Sequence, residues 1–318
     1  MSDVASQVAY RTVRYLRAES ERALRGRRLS GVCVPSGSAG PLCDVWVHRA
    51  ASCSGRPLIV EIHGGGFALG DARKGDALRQ WVCDSFDVNV IGVGYRLAPE
   101  SPAPSQRDDV VAAVEAACAG RLGIEVDASR VYLMGCSAGA CLALTASVEL
   151  ARKGSVAPAG CILHYPYVDA SESIPCNGDA IGLSAEMAHA FNVWYAGELD
   201  PYDPIVSPLS LDSQACKELP PCWIYPVAGD PLMPQAEALR ARLEGAGLAC
   251  SWYPVEGAYH GYLEDAADME AYRAQTMDTT LAARPDGFLC VARRVLREGF
   301  EHILGPAVRQ IEFIPTER

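Results

Sequence analysis

The sequence predicts an α/β fold: a mostly parallel central sheet flanked by helices, topped by a small helical cap. Three observations predict it. Short, nearly unbroken apolar runs recur along the chain, helical stretches separate them, and the alternation breaks once, at about 170–210. Strands covered on both faces read as continuous apolar runs, and parallel pairing needs the intervening helices as crossovers.

Taken in order, residues 6–28 put Ala9, Val13, Leu16 and Leu24 on one helical face, an amphipathic helix resting on another element. From Leu42 the pattern changes. Leu42–His48 alternates, and Pro57–Ile62, Val88–Val93, Val131–Met134, Gly160–Tyr165, Cys222–Val227 and Ala249–Tyr253 follow as short strands. Helical stretches at Asp76–Phe86, Asp108–Ala119, Ala138–Arg152, Gln235–Glu244 and Gly287–Ile303 lie between or after them. The interruption at about 170–210 carries one helix near Ala185–Tyr195. Together with about 1–35, it is expected to cap the carboxyl ends of the strands, where open α/β sheets bind ligands. The 318 residues then form one domain with a sizeable core. The tail 265–318 carries no motif, only a helix to pack on the sheet.

Composition narrows the function. Net charge is −11, from 28 basic and 39 acidic residues. The one basic run, Arg25-Gly26-Arg27-Arg28, is too short for a nucleic-acid footprint, so no nucleic-acid partner is expected. The 13 cysteines are scattered and contain no C-x-x-C pair. Cys118, Cys141 and Cys161 lie in apolar runs, where a thiol behaves as a small hydrophobe, so no disulfide framework or zinc site is expected. A reduced, cytoplasmic protein is the expectation. Neither a signal peptide nor an apolar stretch long enough to span a membrane is visible.

Gly135-Cys136-Ser137-Ala138-Gly139 follows the strand Val131–Met134 and opens a helix. A nucleophile elbow needs that strand, a sharp turn at the serine, and a helix; small flanking residues let strand and helix approach. The elbow presents its central residue, Ser137, rather than Cys136. A strand–helix turn capped by a serine is the plainer alternative. His63-Gly64-Gly65-Gly66-Phe67 ends the strand before Val88. Three glycines let backbone amides face a ligand, as an oxyanion hole requires, with Gly65, Gly66 and Ala138 as donors. A phosphate loop fits poorly, because no G-K-[ST] follows and Leu69 stands where the last glycine of G-x-G-x-x-G belongs.

A serine nucleophile needs a base, and the base a carboxylate. In a strand–elbow–helix enzyme the order is serine, acid, histidine, leaving His164, His189, His260 and His302 downstream of Ser137. His164 sits in an apolar run, and His189 and His302 lie on helices. His260 lies in a loop, Gly257–Tyr262, after a strand, where a base is expected. Asp230, in Ala228-Gly229-Asp230-Pro231-Leu232, ends a strand one unit upstream. Asp203 falls in the insertion, and Glu256 is too near His260 in sequence.

With these residues in hand, the chain resembles the hormone-sensitive-lipase family of esterases, bacterial family IV. Tyr95–Glu100 followed by Pro102 and Pro104, Asp203-Pro204, Ser207-Pro208-Leu209, Leu219-Pro220-Pro221, Asp230-Pro231-Leu232 and His260-Gly261-Tyr262 keep that family's order across roughly 55–265. The resemblance implies an α/β-hydrolase core with a helical cap, a triad of Ser137, Asp230 and His260, and an oxyanion hole of Gly65, Gly66 and Ala138. It also implies short acyl chains and, in many members, a homodimer formed through an edge strand. Two departures stand out: Cys136 and Ala140 replace the Asp and last Gly of the usual G-D-S-A-G-G, and Met233-Pro234-Gln235 replaces a common R-D-E.

The expected reaction is acyl transfer from a small-molecule ester, without metal or organic cofactor. Phe67, Phe191 and Trp194 are the expected pocket aromatics. An amidase or deformylase of the same fold remains an alternative. So does a non-catalytic small-molecule receptor, although receptors that resemble this family lack the histidine retained here as His260.

Overall fold

The computed structural model describes residues 3–27, 29–34, 43–52, 55–171, 185–267 and 285–306. Eight strands form one sheet: β1 (Val32–Val34), β2 (Asp44–His48), β3 (Arg56–Ile62), β4 (Asn89–Gly94), β5 (Val126–Cys136), β6 (Gly160–His164), β7 (Cys222–Tyr225) and β8 (Cys250–Trp252). Their order across the sheet is β1-β2-β4-β3-β5-β6-β7-β8. The first two strands run antiparallel to their neighbours, and every pairing from β4 to β8 is parallel.

Successive residues of a strand point to opposite faces, and the central strands bury both. Leu58, Val60, Ile62, Val131 and Leu133 join one core with α3 (Ser105–Cys118), α4 (Ala138–Lys153) and α7 (Met233–Gly245). Ile59, Tyr132 and Met134 join the other with α2 (Asp76–Phe86) and α9 (Pro285–Leu304), through Leu78, Trp81, Val295 and Phe300. The tail helix thus packs on the sheet. Glu61, the one charged side chain in the apolar run Pro57–Ile62 of β3, faces that second core. Arg79 of α2 donates to it at 2.7 Å and to the Ala72 carbonyl at 2.6 Å. A side chain at Gly92 would collide with this guanidinium, its Cβ only 2.5 Å from Nη1. An ion pair so deep survives because each charge meets the other; losing one partner would strand the second.

Two elements lie outside the layered core. Helix α1 (Asp3–Leu24) and helix α5 (Ala185–Ala196) touch through Tyr10 and Trp194, whose rings meet edge-on at 6.1 Å. Arg17 of α1 donates to the carbonyls of Ala68 and Ala98 and pairs with Glu100. These acceptors lie in the segments leaving β3 and β4, so α1 is tied to the carboxyl end of the sheet.

The expected helices are all present with ends shifted by a few residues, as is usual where caps rather than periodicity set the boundary. One expectation fails. Val32–Val34 belongs to the sheet as β1 rather than to a cap segment extending to about 35. Three residues on an antiparallel edge are too few to show a period. Part of the expected cap, 172–184, lies outside the described residues.

Candidate active site

The elbow is built by close approach. A Cβ on Gly135 would lie 2.2 Å from the Gly139 carbonyl, and one on Gly139 would lie 2.0 Å from that of Ile62. Only glycine lets β5, α4 and the end of β3 meet there. Ser137, between them, has φ 51 and ψ −118, a conformation costly for a residue with a Cβ. Its amide donates to the His164 carbonyl at 3.0 Å, and its carbonyl accepts from Tyr167, so the neighbouring strand end holds the turn. The first amides of α4 are among the unsatisfied donors of a helix N-terminus, and that of Ala138 leads them.

His260 arrives on the loop after β8 and Asp230 on the loop after β7. A parallel bridge between Val227 and Val255 carries that pairing past the named strands. His260 Nδ1 lies 2.7 Å from Asp230 Oδ2, and Nε2 lies 2.9 Å from Ser137 Oγ. A carboxylate only accepts, so Nδ1 carries the proton and donates, and Nε2 is left to accept from the serine hydroxyl. The other oxygen of Asp230 accepts from the Leu232 amide at 2.8 Å. Asp230 is almost wholly buried, whereas the His260 side chain keeps 15% of its surface exposed. Asp203, the rival acid, accepts from the Ile205 amide in its own turn.

The glycine loop reaches Ser137 from the end of β3. Gly65 and Gly66 have φ 111 and 57, and the Gly65 carbonyl closes the turn by accepting from Ala68 and Leu69. Among the described residues, no backbone hydrogen bond uses the Gly65 or Gly66 amide as donor. His63 is structural: burial lowers its pKa, its Nδ1 bonds the Gly64 carbonyl, and its ring stacks on Tyr95 at 4.2 Å.

The aromatic expectations divide. Phe67 is fully buried, stacked on Tyr195 with centroids 3.5 Å apart, so it belongs to the core under the glycine loop rather than to an open pocket wall. Its positive φ, 61, turns the ring inward. Phe191 is buried too, but against the loop: a Cβ on Gly66 would lie 2.2 Å from Phe191 Cδ2. Trp194 is half-buried between Tyr10 and Phe191.

Cys136 is no rival nucleophile. Burial, with the nearby charges of Glu264 and Glu61, pushes its thiol well above the ordinary range. A thiol kept protonated is a poor nucleophile. His164 is fully buried, with its pKa pushed down to about 3 by burial. Gln235, standing in for an acid, accepts from the amides of Val168 and Asp169 and donates to the Asp169 carbonyl, pinning the segment after β6. Sequence reasoning missed Tyr165 and Glu264. Tyr165, at φ 35, sets its ring edge-on to His260 at 5.0 Å and donates its hydroxyl to Glu264. The only signal was a pair of acids, Glu264 and Asp265, between the apolar Tyr262-Leu263 and Ala266-Ala267 just past His260.

Comparison with known proteins agrees with the fold. A profile of the alpha/beta hydrolase fold family matches residues 59–264. Esterase LipI of Mycobacterium tuberculosis is 28% identical over 78% of this chain and 79% of its own length. An ethyl acetate hydrolase of Pseudomonas putida is 31% identical over 67% of this chain and 68% of its own. The solved structure of a Pyrobaculum calidifontis esterase superposes with a TM-score of 0.70 at 22% identity, covering 93% of this chain and 99% of that one. The chain belongs to the α/β-hydrolase family. Within it, the chain falls among the hormone-sensitive-lipase-like esterases, serine hydrolases of carboxylic esters.

Proposed function

We propose that Ser137, His260 and Asp230 are the catalytic triad of this ester hydrolase, with the amides of Gly65, Gly66 and Ala138 as its oxyanion hole. The observation that carries the reading is the unbroken hydrogen-bonded line from Asp230 through His260 to Ser137 Oγ. Ser137 Oγ attacks the ester carbonyl as His260 Nε2 takes its proton, and Asp230 steadies the imidazolium. The three amides meet the developing oxyanion, and one such donor lowers the barrier by about 3 kcal/mol. The tetrahedral intermediate collapses as His260 protonates the leaving alcohol, and water releases the acyl group by the same steps.

Helices α1 and α5 act as the cap. The support is the Arg17 clamp on Ala68 and Ala98 and the seat of Phe191 over Gly66. The ring crowding Gly66 favours small acyl groups, and a relative named for ethyl acetate points the same way. The ten described cysteines are all free, which suits a reducing, cytoplasmic setting. Among the described residues no helix is long and apolar enough to cross a membrane. Strand β8, at one edge of the sheet, is where a homodimer would pair.

Hydrolysis of p-nitrophenyl acetate through octanoate tests this reading. The expected result is a rate that peaks at the short chains and disappears in Ser137→Ala. A wild type inactive on every ester, or a Ser137→Ala that keeps its rate, would overturn it.

A further inference from the structure

The line from Asp230 to Ser137 engages both nitrogens of His260, and a further contact bears on the ring itself. Tyr165, the first residue after β6, sets its ring edge-on to the imidazole, with centroids 5.0 Å apart and planes at 63°. That spacing lies in the range aromatic pairs prefer. Rotation about the Cβ–Cγ bond of a histidine is soft, so a ring bonded to one carboxylate can still swing unless something packs against it.

Tyr165 is held at its backbone, its ring and its hydroxyl. Its φ of 35 is costly for a residue with a Cβ. Its amide donates to the Tyr225 carbonyl at 2.9 Å, and the carbonyl of the same peptide bond, that of His164, accepts from the Ser137 amide at 3.0 Å. One peptide unit therefore joins β7 to the nucleophile. Tyr262 packs against the Tyr165 ring at 5.4 Å. The hydroxyl donates to Glu264 Oε2, and the Cys136 thiol lies within hydrogen-bonding reach of it.

Glu264 belongs to α8 (Tyr262–Ala267), the short helix into which the His260 loop leads. Its carboxyl is wedged between the glycine loop and the elbow. A Cβ on Gly64 would lie 2.6 Å from Glu264 Oε1, 3.1 Å from the Cys136 carbonyl and 3.3 Å from Ser137 Cβ. The Tyr165 hydroxyl is thus anchored to the segment that also carries His260.

We propose that Tyr165 and Glu264 are positioning residues: Glu264 anchors the Tyr165 hydroxyl, and the Tyr165 ring thereby holds the His260 imidazole in line with Ser137 Oγ. The inference rests on the triad reading above. The pair contributes alignment rather than proton transfer, and displacing reacting groups by about 1 Å can cost about 100-fold in rate. What the geometry requires at 264 is an acceptor. A glutamine, whose amide oxygen accepts the same bond, supplies one, and a leucine does not.

The test is hydrolysis of p-nitrophenyl acetate, with kcat expressed per site titrated to the endpoint by a fluorophosphonate, so that unfolded chain does not count. Tyr165→Phe and Glu264→Leu are each expected to lower kcat about tenfold with KM within about twofold of wild type. Glu264→Gln is expected to keep kcat within about threefold of wild type, because it preserves the acceptor. The double variant Tyr165→Phe/Glu264→Leu should be no slower than the slower single one, since both cut the same bond. A wild-type kcat in Tyr165→Phe, equal losses in Glu264→Gln and Glu264→Leu, or losses that multiply in the double variant would overturn the assignment. Titratable sites that vanish together with the folded chain would assign the pair to structure alone and overturn it as well. A wild type inactive on the ester removes the triad reading instead.

Discussion

Two histidine–carboxylate pairs sit at opposite ends of this sheet, and only one is placed for chemistry. His48, on β2, meets Asp76, at the start of α2, at 2.9 Å; His260 meets Asp230 at 2.7 Å. The pairs match in distance and in partner type. They differ in the third partner. Asp76 spends its remaining capacity on the amides of Ser30 and Gly31, stapling the chain before β1 to α2, and the second nitrogen of the buried His48 ring has no hydrogen-bond partner among the described residues. The second nitrogen of His260 faces a serine hydroxyl, and its ring is reachable from outside. A histidine–aspartate pair is therefore no sign of catalysis by itself. What distinguishes the two is a nucleophile on a strained turn and an opening to solvent.

The comparison can be broken most decisively at its third partner. Replacing Ser137 or His260 by Ala should lower kcat by about 10⁴- to 10⁶-fold while thermal unfolding moves little. Steady-state kinetics beside calorimetry would separate the two effects, and a variant that merely unfolded would contradict the assignment. Next in size, Asp230→Asn should cost about 10³- to 10⁴-fold, because the amide can no longer hold His260 in the tautomer that accepts from the serine. A smaller loss, about 10²- to 10³-fold, is expected for Gly65→Ala. Its φ of 111 and a Cβ 2.4 Å from the Leu69 carbonyl would force the donor loop to move. The His48 pair should respond the other way round. Asp76→Asn should leave kcat within about twofold and destabilise the fold by about 2–4 kcal/mol, read from urea midpoints.

Acid should separate the pairs as well. Burial works against the Asp76 charge, but hydrogen bonds from His48, Ser30 and Gly31 outweigh it and hold the carboxyl at about 2. A carboxyl depressed in the folded state adds stability above its unfolded pKa and loses it as pH falls toward the folded value. Burial lowers His48 too, so protonation of its unfolded form erodes stability from near neutral pH downward. Both trends have one sign. Unfolding free energy should fall between pH 6 and 3, with Asp76 accounting for roughly 2 kcal/mol, and Asp76→Asn should flatten the lower part of the curve. A wild-type curve flat over that range would contradict this account of the pair.

The legible and illegible parts of the molecule follow from what each signal measures. Unbroken apolar strands exposed the parallel sheet because burial on both faces leaves no alternation. Glycines at 135 and 139 exposed the elbow because close backbone contact admits nothing larger. His260 and Asp230 were legible because chain order and strand ends leave few competitors. Partnership across the fold was not. Nothing in the sequence joins His48 to Asp76, Arg79 to Glu61 or Tyr165 to Glu264, since those contacts exist only after the sheet forms. Edge strand β1 is too brief to show a period, and Phe67 reads as a pocket residue because an aromatic beside a glycine loop looks the same whether its ring points out or in.

The most direct test of the central claim is covalent. Stoichiometric treatment with a fluorophosphonate, followed by peptide mass spectrometry, reads which oxygen the line from Asp230 through His260 activates. One adduct per chain on Ser137, abolished in Ser137→Ala and strongly slowed in His260→Ala, is the expected result. An adduct on another residue, or full esterase activity in protein that remains unlabelled, would contradict it.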